Sequence, residues 1–221
     1  MRKIIIFDFD GTIADSKKLY VDTIHHSLLE HCFLVRNQQI SEHPKNAKHF
    51  FGYPKSGVTK ALGPKLEATL KNLNKFSPEL MKKLKMQINS DITKKAKSLK
   101  LCPYAKEALE KLKQKGWKIM LLTNSAGKFI SAFLKHNEIE KYFDRLFYAE
   151  NFSSKESAIR QIAKRYNAKI SDVRYVADKL SDVKIAKNVG CRVIISLACS
   201  WDKNRLRKSR FAVKNLRYIE A

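Results

Sequence analysis

Paired cysteine motifs are missing from this 221-residue chain. Its four cysteines, Cys32, Cys102, Cys191 and Cys199, form no C-x-x-C pair, and no His/Cys cluster has the spacing of a zinc site. They read as buried free thiols of a reducing compartment. No apolar run approaches the length that crosses a bilayer. The first apolar run, Ile4–Phe7, is short and is interrupted at once by Asp8 and Asp10, which argues against a secretory signal. A cytoplasmic protein with no membrane partner is the expectation. Acidic residues are scarce: 21 Asp+Glu stand against 45 Lys+Arg, a formal charge of +24. Such a surface draws anions, whether phosphorylated metabolites, nucleic acids or anionic membranes. The excess is spread along the chain, so it fits a functional field and a lysine-rich composition equally well. Internal repeats and low-complexity segments are lacking as well. With 44% hydrophobic residues the chain can still bury a core, and its length suits an α/β domain alone or one carrying a smaller insert.

Lys3–Phe7 is rich in β-branched residues and reads as a buried strand that stops at the turn Asp8-Phe9-Asp10-Gly11-Thr12. From Ser16 to about Ser98 the texture is helical. Tyr20, Ile24, Leu28 and Cys32 recur on one helix face, and further helices are expected near Gly57–Leu73 and Pro78–Lys97. Gly52, Pro54, Gly63 and Pro64 punctuate this stretch. After Cys102 helices and strands alternate. Helices are expected at Tyr104–Lys115, Ala126–Asn137, Lys155–Asn167 and Ser181–Val189. Strands are expected at Trp117–Leu122, Leu146–Ala149, Arg174–Ala177 and Val193–Ser196. Gly116 and Gly190 end two of the helices. The pattern predicts an α/β fold: a Rossmann-like parallel sheet with helices on both faces, and an all-helical insert after the first strand. The expected domains are a core of residues 1–15 and 99–221 and an insert of residues 16–98.

In such folds ligands bind beyond the carboxyl ends of the strands. Asp8 and Asp10 follow the first strand, Thr123, Asn124 and Ser125 the second, and Asp178 and Asp182 the strand Arg174–Ala177. If these strands are neighbours, four carboxylates and a hydroxyl converge at one sheet edge. Carboxylates so placed need a cation or protons. Hard oxygen ligands without His or Cys select Mg²⁺, with Mn²⁺ as a substitute.

Four motifs in order resemble the haloacid dehalogenase superfamily: Asp8-Phe9-Asp10-Gly11-Thr12, Leu121-Leu122-Thr123-Asn124, Lys155 at a helix start, and Asp178 with Asp182. The resemblance covers Met1–Asp15 and Leu101–Ile219. It implies a Mg²⁺-dependent phosphatase in which Asp8 is the nucleophile, Asp10 the general acid and base, and Lys155 a charge-offsetting catalytic residue. Substrate would be held by Thr123, Asn124, Gly11 and Thr12. The metal would sit on Asp8, the Asp10 carbonyl, Asp178 and, through water, Asp182. Asp10 points away from dehalogenase chemistry, which has no leaving oxygen to protonate. Each residue also has a plainer reading. Asp8 and Asp10 suit helix caps, Thr123 and Asn124 a turn, Lys155 a solvated lysine, and Asp182 a first-turn helix acid. His25, His26, His31, His43 and His49 fit no ligand spacing.

One departure stands out. The fourth motif reads Ala177-Asp178-Lys179 where the family usually has Gly-Asp-Ser or Gly-Asp-Thr. Lys179 either pairs with Asp178 and weakens metal binding or points outward. The insert resembles the helical cap of the phosphoglycolate phosphatase and β-phosphoglucomutase branch. Asp15-Ser16, Gly52-Tyr53-Pro54, Cys102-Pro103-Tyr104 and Ser200-Trp201 fit it. Lys17, Lys18, Tyr53 and Lys55 are candidate specificity residues. The partner expected first is a small phosphomonoester: phosphoglycolate, a sugar phosphate or a nucleotide. The alternatives are mutase-like phosphotransfer, or a weakly active protein of this fold that binds nucleic acid through its basic surface, although no nucleic-acid motif is present.

Overall fold

The computed structural model describes residues 3–36, 54–63, 65–74 and 76–219, with side chains for all of these but residues 32–36. Gly52, Tyr53, Pro64, His43, His49 and the Cys32 side chain therefore lie outside the described residues. The chain divides into two compact units, Met1–Lys17 with Lys97–Ala221, and Lys18–Ala96.

The first unit is built on one sheet. Its strands, in chain order, are β1 (Ile4–Phe7), β2 (Lys118–Leu122), β3 (Arg145–Phe147), β4 (Val173–Ala177), β5 (Arg192–Ser196) and β6 (Ala212–Val213). Their order in space is β3-β2-β1-β4-β5-β6, and every pairing is parallel. The first strand lies at the centre because it is apolar at every position. All four residues of β1 are buried, as a parallel strand covered on both faces requires. The chain moves outward from β1 to β2 and β3, then returns to the other side of β1 for β4. That reversal leaves a crevice beyond the carboxyl ends of β1 and β4, where an open α/β sheet binds its ligand.

Side chains alternate between the two faces of the sheet. On one face Ile4, Ile6, Met120, Leu122, Tyr175, Ala177 and Ile195 share a core with Ile159 and Ile162 of α7 (Lys155–Arg165) and with Val183 and Ala186 of α8 (Leu180–Val189). In α5 (Ala105–Gln114), Ala105, Leu109 and Leu112 are buried, and the helix packs on β2. Gly116 and Gly190 take positive φ after α5 and at the end of α8, as the glycine signals suggested. The expected strand Leu146–Ala149 is realised one residue earlier as β3, and Ala149–Asn151 forms a 3₁₀ turn. Two elements carry too little pattern to be read from sequence: β6, with only two residues, and the four-residue α9 (Lys203–Leu206).

The second unit is helical among the described residues. It holds most of α1 (Lys17–Arg36), and α2 (Lys55–Ala61), α3 (Leu66–Leu73) and α4 (Pro78–Lys94). Helix α4 starts where Ser77 accepts a hydrogen bond from the Leu80 N–H and Pro78 fills the first turn. Leu80, Leu84, Ile88 and Ile92 form its buried stripe. No helix among the described residues is long and apolar enough to cross a membrane.

The turn after β1 is fixed from below. Phe9 is fully buried and meets Phe129 and Phe133 of α6 (Gly127–His136) edge-on, at centroid distances of 5.6 and 5.0 Å. Its carbonyl accepts from the N–H groups of Thr12, Ile13 and Ala14. Phe9→Ala is therefore expected to cost about 3–5 kcal/mol of unfolding free energy. Urea unfolding checks this; a loss below about 1 kcal/mol would mean the ring does not anchor the turn.

Candidate active site

The β1 ladder runs on into the acidic turn, because the Asp8 N–H donates to the Val176 carbonyl at 2.8 Å. This hydrogen bond seats Asp8 beside the end of β4, where Asp178 begins the next loop. Ligand oxygens of Asp8, Asp178 and Asp182 all lie within 4.8 Å of one another, and all three residues are buried. Lys155 joins them from the first residue of α7. Its ammonium lies 3.0 Å from Asp8 Oδ1 and 3.2 Å from Asp182 Oδ1. At 6% exposure it is not a solvated lysine. Asp182 is indeed a first-turn acid of α8, accepting from the Lys179 backbone N–H at 3.2 Å, but its other oxygen is the one paired with Lys155.

The fourth carboxylate, Asp10, acts on this cluster through space, adding to the upward push that burial gives the Asp8 carboxyl. Two hydroxyls hold it: Ser16 Oγ donates to Oδ1 at 2.6 Å, and Ser125 Oγ to Oδ2 at 2.5 Å. Thr123 is fully buried at the end of β2, and its Oγ1 accepts from the Ser125 N–H at 3.1 Å. Asn124 lies between them in the same loop. Thr12 is buried too, with no hydrogen-bond partner for its Oγ1 among the described residues.

Gly11 is the tightest position. Its φ is +75°, and a Cβ there would stand 2.3 Å from Asp178 Oδ2. The same Asp178 oxygen accepts from the Trp201 N–H at 2.7 Å, and the Asp178 carbonyl accepts from Ser200 Oγ at 2.5 Å. Lys179 turns away from this contact. Its ammonium stacks over the Trp201 ring, 3.7 Å from the centroid, and no ion pair joins it to Asp178 among the described residues. The Lys17 ammonium donates to the Trp201 carbonyl at 3.0 Å. Lys18 and Lys55 both pair with Asp22.

Electrostatics follow from burial. Desolvation pushes the Asp8 carboxyl up to about 6; Lys155 opposes this and Asp182 adds to it. Desolvation also raises Asp178 well above the carboxylate range, against the pull of Lys179 and with the push of Asp8 and Asp182. For Lys155 desolvation acts downward, yet Asp182 and Asp8 outweigh it and hold the ammonium charged. The site thus carries more negative charge than its lysine offsets. Asp178 Oδ1 is buried with no hydrogen-bond partner among the described residues. An orphaned carboxylate oxygen among all-oxygen donors fits a hard divalent cation.

Sequence reasoning missed the roles of Tyr175, Ser16 and Ser125. Tyr175 carried a signal: a tyrosine on the apolar face of a buried strand must place its hydroxyl on a polar partner. Of the serine contacts to Asp10, that of Ser16 spans six residues and that of Ser125 spans 115, and a serine in a turn carries no distinctive sequence signal for either.

Because the folded-state value of Asp8 lies above its ordinary 3.8, the folded protein binds more protons than the unfolded chain between pH ~4 and ~6. Its contribution to stability therefore falls as pH rises through that window. In EDTA, Asp8→Asn is expected to raise Tm at pH 8, with the gain shrinking towards pH 4. Thermal unfolding across pH tests this, and a lower Tm for the variant at pH 8 would refute it.

Known proteins resemble this chain over most of its length. The chain is 26% identical over 194 residues to a phosphoglycolate phosphatase of Vibrio parahaemolyticus, covering 86% of this chain and 81% of that protein. It is 21% identical to the pyrophosphatase PpaX of Bacillus mycoides, covering 89% and 83%. The crystal structure of CbbY from Rhodobacter sphaeroides in complex with phosphate superposes with a TM-score of 0.74 at 13% identity, covering 98% and 95%. Residues 5–196 match the family model of the haloacid dehalogenase-like hydrolases, and the chain belongs to that family.

Proposed function

We propose that this chain is a phosphatase that hydrolyses a small phosphomonoester through an aspartyl phosphate on Asp8. The observation that carries the reading is the buried set of carboxylates closed by Lys155 at the ends of β1 and β4. The Asp8 carboxylate attacks phosphorus, and the bond from phosphorus to the leaving oxygen breaks. Asp10 gives its proton to that oxygen, then takes one from the water that cleaves the acyl phosphate. One carboxyl serves both steps because they occur in sequence. The hydroxyls of Ser16 and Ser125 fix its direction. Lys155 offsets the charge of Asp8 and of the transferring phosphoryl group. Thr123, Asn124, Gly11 and Thr12, at the ends of β2 and β1, are the assigned phosphate-binding positions.

Asp8, Asp178 and the Asp10 carbonyl would hold Mg²⁺. Both Asp182 oxygens are engaged by neighbouring groups, so Asp182 would act through water or by charge. Bound there, the ion supplies the positive charge that lets an anionic nucleophile approach an anionic phosphate. The relatives named phosphoglycolate phosphatase and pyrophosphatase support a small phosphorylated substrate. The helical unit Lys18–Ala96 is assigned the part of a cap that excludes water and selects the leaving group. A complete carboxylate–lysine cluster gives no support to an inactive nucleic-acid-binding protein.

Phosphate release from a panel of phosphorylated metabolites tests the reading and separates hydrolysis from mutase-like transfer. Turnover is expected to vanish in EDTA, to return with Mg²⁺, and to fall roughly 10³-fold or more in Asp8→Asn. Turnover that survives in EDTA or in Asp8→Asn would sink the mechanism. In parallel, Mg²⁺ is expected to raise the Tm of the wild type and not that of Asp178→Asn.

A further inference from the structure

An ammonium has three N–H donors. In Lys155 the available acceptors match that number: Asp8 Oδ1 at 3.0 Å, Asp182 Oδ1 at 3.2 Å and the Tyr175 hydroxyl at 2.7 Å. The Tyr175 hydroxyl in turn donates to Asp182 Oδ1 at 2.8 Å. Lys155, Tyr175 and Asp182 therefore close a ring of hydrogen bonds drawn from α7, β4 and α8, and Asp8 hangs from it by the remaining N–H. Tyr175 is fully buried among Ile4, Ile6, Ile159 and Val183, so its ring is fixed by packing.

We propose that Tyr175 is a positioning residue whose hydroxyl holds the Lys155 ammonium on Asp8. The assignment rests on the reading of Asp8 as nucleophile. Packing alone gives no reason for the hydroxyl, since phenylalanine would fill the same apolar face without a polar atom to satisfy. Two carboxylates compete for Lys155, and with those acceptors alone the ammonium can turn and slide between them. The third acceptor sets the direction of the tripod. It also engages Asp182 Oδ1, which keeps that carboxylate in place as the fixed counter-charge. When a phosphoryl group arrives, Lys155 needs to redirect only the N–H that faces Asp8. The other two stay anchored, so the charge moves little and little reorganisation accompanies the transfer.

The test is Tyr175→Phe, alone and combined with Lys155→Ala, assayed for Mg²⁺-dependent phosphate release. Tyr175→Phe is expected to lower kcat about 10- to 100-fold with KM changed by less than about 3-fold. In the Lys155→Ala background the same substitution is expected to cost almost nothing, because the hydroxyl acts through the ammonium. An unchanged kcat in Tyr175→Phe, or equal fold-losses in the two backgrounds, overturns the proposal. If the wild type releases no phosphate from any substrate, the functional reading fails instead. The same cycle read by thermal unfolding then decides the contact: coupled Tm losses uphold it, and additive ones overturn it. A loss confined to kcat that disappears in the Lys155→Ala background separates positioning from a merely structural role.

Discussion

Buried negative charge is the constraint that organises this molecule. Asp8, Asp178 and Asp182 place ligand oxygens within 4.8 Å of one another in a site closed to solvent. Lys155 is the one ammonium in direct contact with this set among the described residues. Burial desolvates these carboxylates and their mutual repulsion adds to it, so protons are drawn to Asp8 and Asp178 against the pull of the nearby lysines. A divalent cation has the charge that closes this balance, and the unpartnered Asp178 Oδ1 gives it an oxygen. The arrangement that makes the site unfavourable without a cation is the one that would give a divalent metal its affinity.

The fold delivers these groups because of where the chain reverses direction in the sheet. β1 pairs with both β2 and β4, in a register that sets Phe7 beside Leu121 and Val176. The residues that follow are then brought to one edge: Asp8 after β1, Thr123 after β2 and Asp178 after β4. Neither the Asp8 turn nor the Asp178 loop stands alone. Phe9 anchors the first through α6, and the Trp201 N–H and Ser200 hydroxyl hold the second. Packing energy from the aromatic cluster thus supports a turn whose own charges disfavour it.

How much of this could be read from sequence follows from the range of each interaction. The strands were legible because buried parallel strands are apolar over most of their length, and Asp8, Asp10 and Asp178 because they interrupt those runs at their carboxyl ends. Lys155 was legible only through its place in an ordered set of motifs; nothing local separates it from the other basic residues. Lys179 was undecidable, because its partner is Trp201, 22 residues further on. Of the serines that hold Asp10, Ser125 was hidden for the same reason, whereas Ser16 is only six residues away. Ser125 comes from 115 positions away, and a hydroxyl in a turn has many plainer explanations. Tyr175 was the missed residue with a visible cue, since its hydroxyl on the buried face of a central strand required a buried partner.

Two small residues, Gly11 and Ala177, answer to different constraints. A Cβ on Gly11 would stand 2.3 Å from the Asp178 carboxylate and 2.8 Å from Trp201, on a backbone with φ of +75°. Any side chain there forces apart the turn of the first motif and the loop of the fourth, so this glycine is a requirement of two segments at once. Ala177 replaces a glycine common in the family's fourth motif. It ends β4 with its methyl in the apolar face shared with α7 and α8, not in the loop that meets Gly11. The exchange therefore adds apolar contact on the packed side of the strand and leaves the ligand side untouched. The departure at Lys179 fits the same division. Its backbone N–H serves Asp182, while its ammonium lies on Trp201. In this chain each altered side chain of the fourth motif finds its contact outside the space between Asp8 and Asp178, and Lys179 acts on both carboxyls only through space.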